Sequence, residues 1–328
     1  MMESSIYKDL VTTRGLKYHY LVSHGEPSKP SLLLLHGFPS TSYLWQNQVP
    51  FFEKAGYTLI IPDLLGYGGS DKPTDHVLYK QSLMCADIVD ILDVERAGKV
   101  IVIAHDWGCV TASRLANYYP ERFNAFAFLA FGYVAPWPDL DYERLLVDLK
   151  QTVGSDVYGY WEFFAEDGAD QLIETHLESF FSLVFAQDTG LWETNVAPRG
   201  ALKEWLLADR KTSIAPYISE DERRAIMRTL LENRFSAPLC WYKVPVRGLF
   251  AEDDKKIPAE KATIKQPVFF GACKQDFVCK PEIQLRDAQK FCPNLDVMEF
   301  DTGHWVQLAV PNELNTALED WIKRSVDI

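Results

Sequence analysis

The stretch Ile103-Ala104-His105-Asp106-Trp107-Gly108 has the small-x-nucleophile-x-Gly layout of a strained strand-turn-helix elbow, with Asp where serine hydrolases put Ser. A carboxylate at that position is exposed at the top of a sheet and can attack carbon. The competing reading is that Asp106 caps the following helix, a common job for Asp. Two more polar positions follow apolar runs: Asp276, directly after GACKQ, and His304, in Gly303-His304-Trp305 after MEFDT. Each alone is an ordinary loop residue. Their chain order, nucleophile then acid then His, is the triad order of one fold, with Asp276 orienting His304 as general base. A fourth strand end, Leu35-His36-Gly37-Phe38-Pro39, has a Gly that allows a sharp turn and can present the Phe38 N–H to an oxyanion, unless it is simply a strand-to-helix turn. Serine-esterase chemistry is excluded, because no Ser occupies the elbow.

These positions need a scaffold that brings strand ends together. LKYHYLV places Leu16, Tyr18, Tyr20 and Val22 on one face with period two, after DLVTT and the turn at Arg14-Gly15, which predicts an antiparallel edge pair. The runs SLLLL, YTLIIPD, KVIVIAHD and FNAFAFLAF read as buried parallel strands. Helices separate them, through Met84, Ile88, Ile91 and Leu92 and through TASRLANYYPERF. From about Pro136 to Tyr242 the rhythm changes to a helical insertion, and QPVFFGACKQD and LDVMEFDTGH then resume the strands, followed by helices at PEIQLRDAQKF and PNELNTALEDWIKR. The fold class is α/β: a mostly parallel central sheet flanked by helices, with core segments 1–137 and 245–328 around an inserted helical domain at 138–244. Ligands bind such sheets outside the carboxyl ends of their strands. VRGLFAEDDKKIPAEKATI reads as a charged surface connection; Asp253-Asp254 within it compete weakly for the acid role, with no helix-forming stretch behind them before the strand at Val268. GYGGS lacks the GK[ST] of a phosphate loop and the spacing of GxGxxG, so it reads as a turn.

With 33 basic against 46 acidic residues in a chain of 328, the net charge of −13 repels phosphate backbones and anionic lipid, so nucleic acid and membrane surfaces are excluded as partners. The longest aliphatic run, Leu32 to Leu35, falls far short of the roughly 20 residues of a membrane span. Six scattered cysteines without metal-ligand spacing, and an opening MMESSIYKDL without an apolar signal segment, predict reduced thiols and a cytoplasmic location.

HGFP at 36–39, GYGGSDKP at 66–73, HDWG at 105–108, DFV at 276–278 and GHW at 303–305 resemble the α/β-hydrolase superfamily, and within it the soluble epoxide hydrolases. The resemblance implies an α/β-hydrolase fold with a helical lid whose two tyrosines face the nucleophile. Leu239-Cys240-Trp241-Tyr242-Lys243 looks like the stretch bearing the second, so Tyr242 is the match, with Cys240 and Lys243 in place of Asn and Arg. Phe164-Ala165-Glu166-Asp167-Gly168 resembles the stretch that follows the first, with Asp167 in place of Pro, and counting back eight residues from Gly168 gives Tyr160; only register separates it from Tyr158. The implied chemistry is attack by Asp106 on an epoxide carbon, proton donation by Tyr160 and Tyr242, and hydrolysis of the resulting ester by water activated at His304. The backbone N–H groups of Phe38 and Trp107 would hold the oxyanion. Phe38, Trp107, Tyr160, Tyr242 and Trp305 would contact the substrate, with no metal and no organic cofactor. Two alternatives stay open: a haloalkane or haloacid dehalogenase, which often carries Asn where this chain has Phe38, and a ligand-binding protein on a hydrolase fold. The expected partners are a small epoxide and water, and a homodimer is left open.

Overall fold

Val100–His105 (β5) is buried at every residue, as a central strand covered on both faces must be. The computed structural model describes residues 6–326; the first five residues of the MMESSIYKDL opening lie outside them. β5 pairs in parallel with Ser31–Leu35 (β3) and with Phe123–Leu129 (β6). Thr58–Pro62 (β4) lies beside β3, Val268–Cys273 (β7) beside β6, and Leu295–Phe300 (β8) beside β7, all in parallel. Ile6–Val11 (β1) and Lys17–Ser23 (β2) add an antiparallel edge that joins at β4. Among the described residues this gives one eight-stranded sheet in the order β1-β2-β4-β3-β5-β6-β7-β8. Tyr18, Tyr20 and Val22 of β2 are buried with period two, while the helix Gln81–Val94 buries Met84, Ile88, Ile91 and Leu92.

The strand order sets up the chemistry. β3 and β5 are neighbours, so the Gly37-Phe38 turn abuts the end of β5. β7 and β8 are also neighbours, so the loops carrying Asp276 and His304 leave the sheet side by side. Between β6 and β7 runs a succession of short helices, from Tyr142–Val153 to Leu249–Asp254. The helix Cys240–Val246 crosses the boundary expected at 244/245.

One reading is corrected. The segment expected as a charged surface connection folds at Leu249–Asp254 into a helix that buries Phe250, Asp253 and Asp254. Its acids are tolerated inside because each has partners: Asp254 accepts from Arg114, and Asp253 from the amide and hydroxyl of Ser82.

All six cysteines are free and buried. Burial raises the thiol pKa of each, well above the ordinary value for Cys85, Cys109, Cys273 and Cys279. No helix among the described residues is long and apolar enough to cross a membrane.

Candidate active site

Asp106 stands between β5 and the helix Trp107–Tyr118 with φ 53° and ψ −126°, and its side chain makes no cap hydrogen bond to that helix. A non-glycine residue held there costs about 1–3 kcal/mol, which the surrounding contacts must offset. Those contacts are close. A Cβ at Gly108 would lie 2.7 Å from the His36 carbonyl oxygen, and one at Gly37 would lie 2.7 Å from Asp106 Cγ, so only glycine lets the β3 and β5 turns meet. The carboxylate turns toward the β3 loop: Phe38 N–H donates to Asp106 Oδ1 at 2.8 Å, and the Trp107 N–H also bonds the carboxylate. His36 steadies that loop, accepting from Leu64 N–H through Nε2 at 2.9 Å.

Asp276 Oδ2 accepts from His304 Nδ1 at 2.6 Å, while Oδ1 takes the backbone N–H groups of Val278 and Cys279. That fixes the imidazole tautomer and aims Nε2 at Asp106, 3.6 Å from Oδ2. His105 ties β5 to the same loop, donating from Nε2 to the His304 carbonyl at 2.9 Å. Burial pushes Asp106 above the usual carboxylate range, against the pull of His304 and the two amides. Burial by itself would lower His304, but Asp276, and Asp106 after it, hold it above the ordinary histidine value. His105 is driven well below that value, first by burial and then by the charge of His304, so it stays neutral.

Asp106 and His304 open onto a cavity of about 460 Å³ whose wall includes Phe38, Tyr160, Tyr242 and Trp305. The two phenols come from the helices Tyr160–Ala165 and Cys240–Val246, with ring centroids 5.9 Å apart. Burial raises both phenol pKa values well above the ordinary one, so each is a neutral O–H donor. Tyr158 lies elsewhere: its hydroxyl accepts from Gln284 at 2.8 Å, and its ring lines a separate 710 Å³ cavity. Register along the chain was all that set Tyr160 apart from Tyr158, and the fold places the two in different cavities.

Trp107 faces two ways. Its N–H binds the carboxylate, while its indole lines the separate 710 Å³ cavity, tilted against Trp161 at 5.3 Å, and meets the Tyr242 ring edge-on at 5.1 Å. The first helical residue after an elbow sends its backbone and side chain different ways. Sequence reading also missed Phe164, Phe180, Leu183 and Val184, which form part of the apolar wall together with Trp192 and Leu202. A signal existed: Tyr160 with Phe164, and Phe180 with Leu183 and Val184, follow the three- and four-residue spacing of a helix face.

Among the described residues, Asp276, Cys279 and His304 bring ligand-type atoms within 4.8 Å of one another. A metal there would have to compete for His304 Nδ1 with the Asp276 hydrogen bond, and for Asp276 Oδ1 with two amides, so the donor set fits a base assembly better than an ion.

Residues 30–309 match the family described as the alpha/beta hydrolase fold. The chain is 28% identical over 318 residues to bifunctional epoxide hydrolase 2 of Mus musculus, covering 95% of this chain and 54% of that protein. It thus spans about half the length of the mammalian relatives of that name. An epoxide hydrolase of Caballeronia sordidicola is 29% identical over 330 residues, covering 97% of this chain and 93% of the relative. The crystal structure of epoxide hydrolase A from Mycobacterium thermoresistibile superposes with a TM-score of 0.80 at 27% identity, covering 99% of this chain and 100% of that one.

Proposed function

Because the chain belongs to the alpha/beta hydrolase fold family, we propose that it hydrolyses epoxides to vicinal diols through an ester on Asp106. The observation that carries the reading is one apolar cavity holding a carboxylate, a carboxylate-paired imidazole and two neutral phenols. A carboxylate attacks a strained three-membered ether in line when the departing oxygen receives a proton as it leaves. Asp106 attacks carbon, the C–O bond breaks, and Tyr160 and Tyr242 donate to the oxygen. Water then adds to Asp106 Cγ while His304 Nε2 takes one of its protons. Collapse breaks the ester C–O bond, the second water proton passes to the departing alkoxide to complete the diol, and the proton on His304 restores the phenol, so Asp106 returns as a carboxylate. The Phe38 and Trp107 N–H groups, already on the carboxylate, serve the tetrahedral oxyanion. The helices over the cavity act as the lid, with Phe38 and Trp305 among its substrate contacts. Six unpaired, buried thiols suit a reducing, cytoplasmic setting.

A single turnover in heavy-oxygen water, with enzyme in excess, tests this. Because water adds to the acyl carbon, the first diol should be largely unlabelled and the Asp106 peptide labelled. Immediate label in the diol with a light peptide would mean direct attack of water, and would overturn the nucleophile.

The pH dependence has a definite sign. In the free enzyme the Asp106 charge helps hold His304 high, and esterification removes that charge. Ester hydrolysis needs neutral His304, so its rate should rise with pH about a midpoint lower than the titration of His304 in the free enzyme. His105, already neutral, adds no second step. Rapid-quench decay of the ester, set against a nuclear magnetic resonance titration of the imidazole, checks this; equal or reversed midpoints would contradict it.

A further inference from the structure

We propose that Arg114 and Asp254 form a positioning clamp that seats the inserted helices over the nucleophile and so serves ring opening but not ester hydrolysis, an inference that rests on the function proposed above. Arg114 lies on the helix Trp107–Tyr118, about two turns beyond Asp106, and is fully buried. The chain enters the insertion near 134–137 and leaves it near 250–254, and both crossings meet this one guanidinium. At the entry, Arg114 Nη1 donates to the Val134 carbonyl at 2.6 Å. At the exit, Nε and Nη2 donate to Asp254 Oδ1 and Oδ2 at 2.7 and 2.6 Å, and Phe250 packs 4.9 Å from the guanidinium. Asp254 then closes the loop by accepting from Trp137 N–H at 2.7 Å. Asp253 beside it accepts from Ser82 N–H and Oγ at 2.7 and 2.5 Å, fixing the exit to the core helix Gln81–Val94.

The division of labour follows from where the groups sit. Tyr160 and Tyr242 belong to the insertion, whereas Asp106, His304, Asp276 and the two amides belong to the core. A bond network that sets insertion against core therefore bears most on the step that needs both. The insertion also meets the His304 loop, through Trp192 against the imidazole and the Val184 carbonyl under Trp305, but Asp276 of the core holds that imidazole. The rigid fork of arginine makes this a directional restraint that a lysine point charge cannot reproduce.

The test compares the parent with Arg114→Met/Asp254→Leu and with Arg114→Lys. Removing one partner would strand a buried charge, but replacing both with apolar side chains often leaves stability unchanged. Ester formation and ester decay are timed separately by rapid quench and intact mass, using one panel of aryl and alkyl epoxides. In the double variant ester formation should slow about tenfold or more, since ångström-scale misplacement of a donor costs that much, while ester decay stays at the parental rate. Arg114→Lys should show the same asymmetry to a smaller degree, and it carries the test alone if the double variant does not fold. Equal slowing of both steps, or of neither, overturns the clamp. A parent that forms no ester with any epoxide removes the functional reading itself.

Discussion

His304→Gln should turn the enzyme into a trap that opens one epoxide and stops. In the proposed mechanism alkylation needs Asp106 and the phenols, whereas only deacylation needs a base, so steady-state turnover should fall by roughly 10³, within the usual range for losing a positioned base. Intact mass after addition of an epoxide should rise by one substrate mass, and the adduct should map to the peptide containing Asp106. Gln is the informative replacement because it fills similar space yet cannot take the water's proton. Protein that binds the epoxide but stays unmodified would sink the two-step mechanism.

The phenols give the second large effect. Tyr160→Phe or Tyr242→Phe keeps the ring in the aromatic wall and deletes one donor to the developing alkoxide, so ring opening should slow by roughly 10² in each case. Ester decay should be unchanged, because neither hydroxyl is needed once the carbon–oxygen bond has broken. Tyr158→Phe is the control, since that hydroxyl is engaged by Gln284. Damage from Tyr158→Phe with a silent Tyr160→Phe would reassign the donor.

What could be read in advance divides along physical lines. Parallel strands announce themselves as apolar runs, and their ends fall at the next polar residues, so Asp106, Asp276, His304 and the Phe38 turn were legible without any contact information. The antiparallel edge was legible for a similar reason, because Tyr18, Tyr20 and Val22 alternate. The insertion was harder. Its helices pack through aromatic contacts such as Phe164 with Tyr242, ring centroids 4.7 Å apart, and no short pattern encodes which ring meets which. Asp253-Asp254 misled because charge normally marks a surface, and the partner that makes Asp254 a core residue lies 140 positions away in the chain.

The six unpaired thiols described with the fold have a practical consequence. A buried, protonated thiol is close to inert toward alkylating reagents, since the thiolate is the reactive form. Modification in the native protein must therefore wait for local opening, and each cysteine becomes a clock for the segment that hides it. Cys240 sits two residues from Tyr242 on an inserted helix, whereas Cys109 lies one turn behind Asp106 in the core. Their relative labelling rates compare how often each half of the cavity comes apart, using reporters the chain already carries.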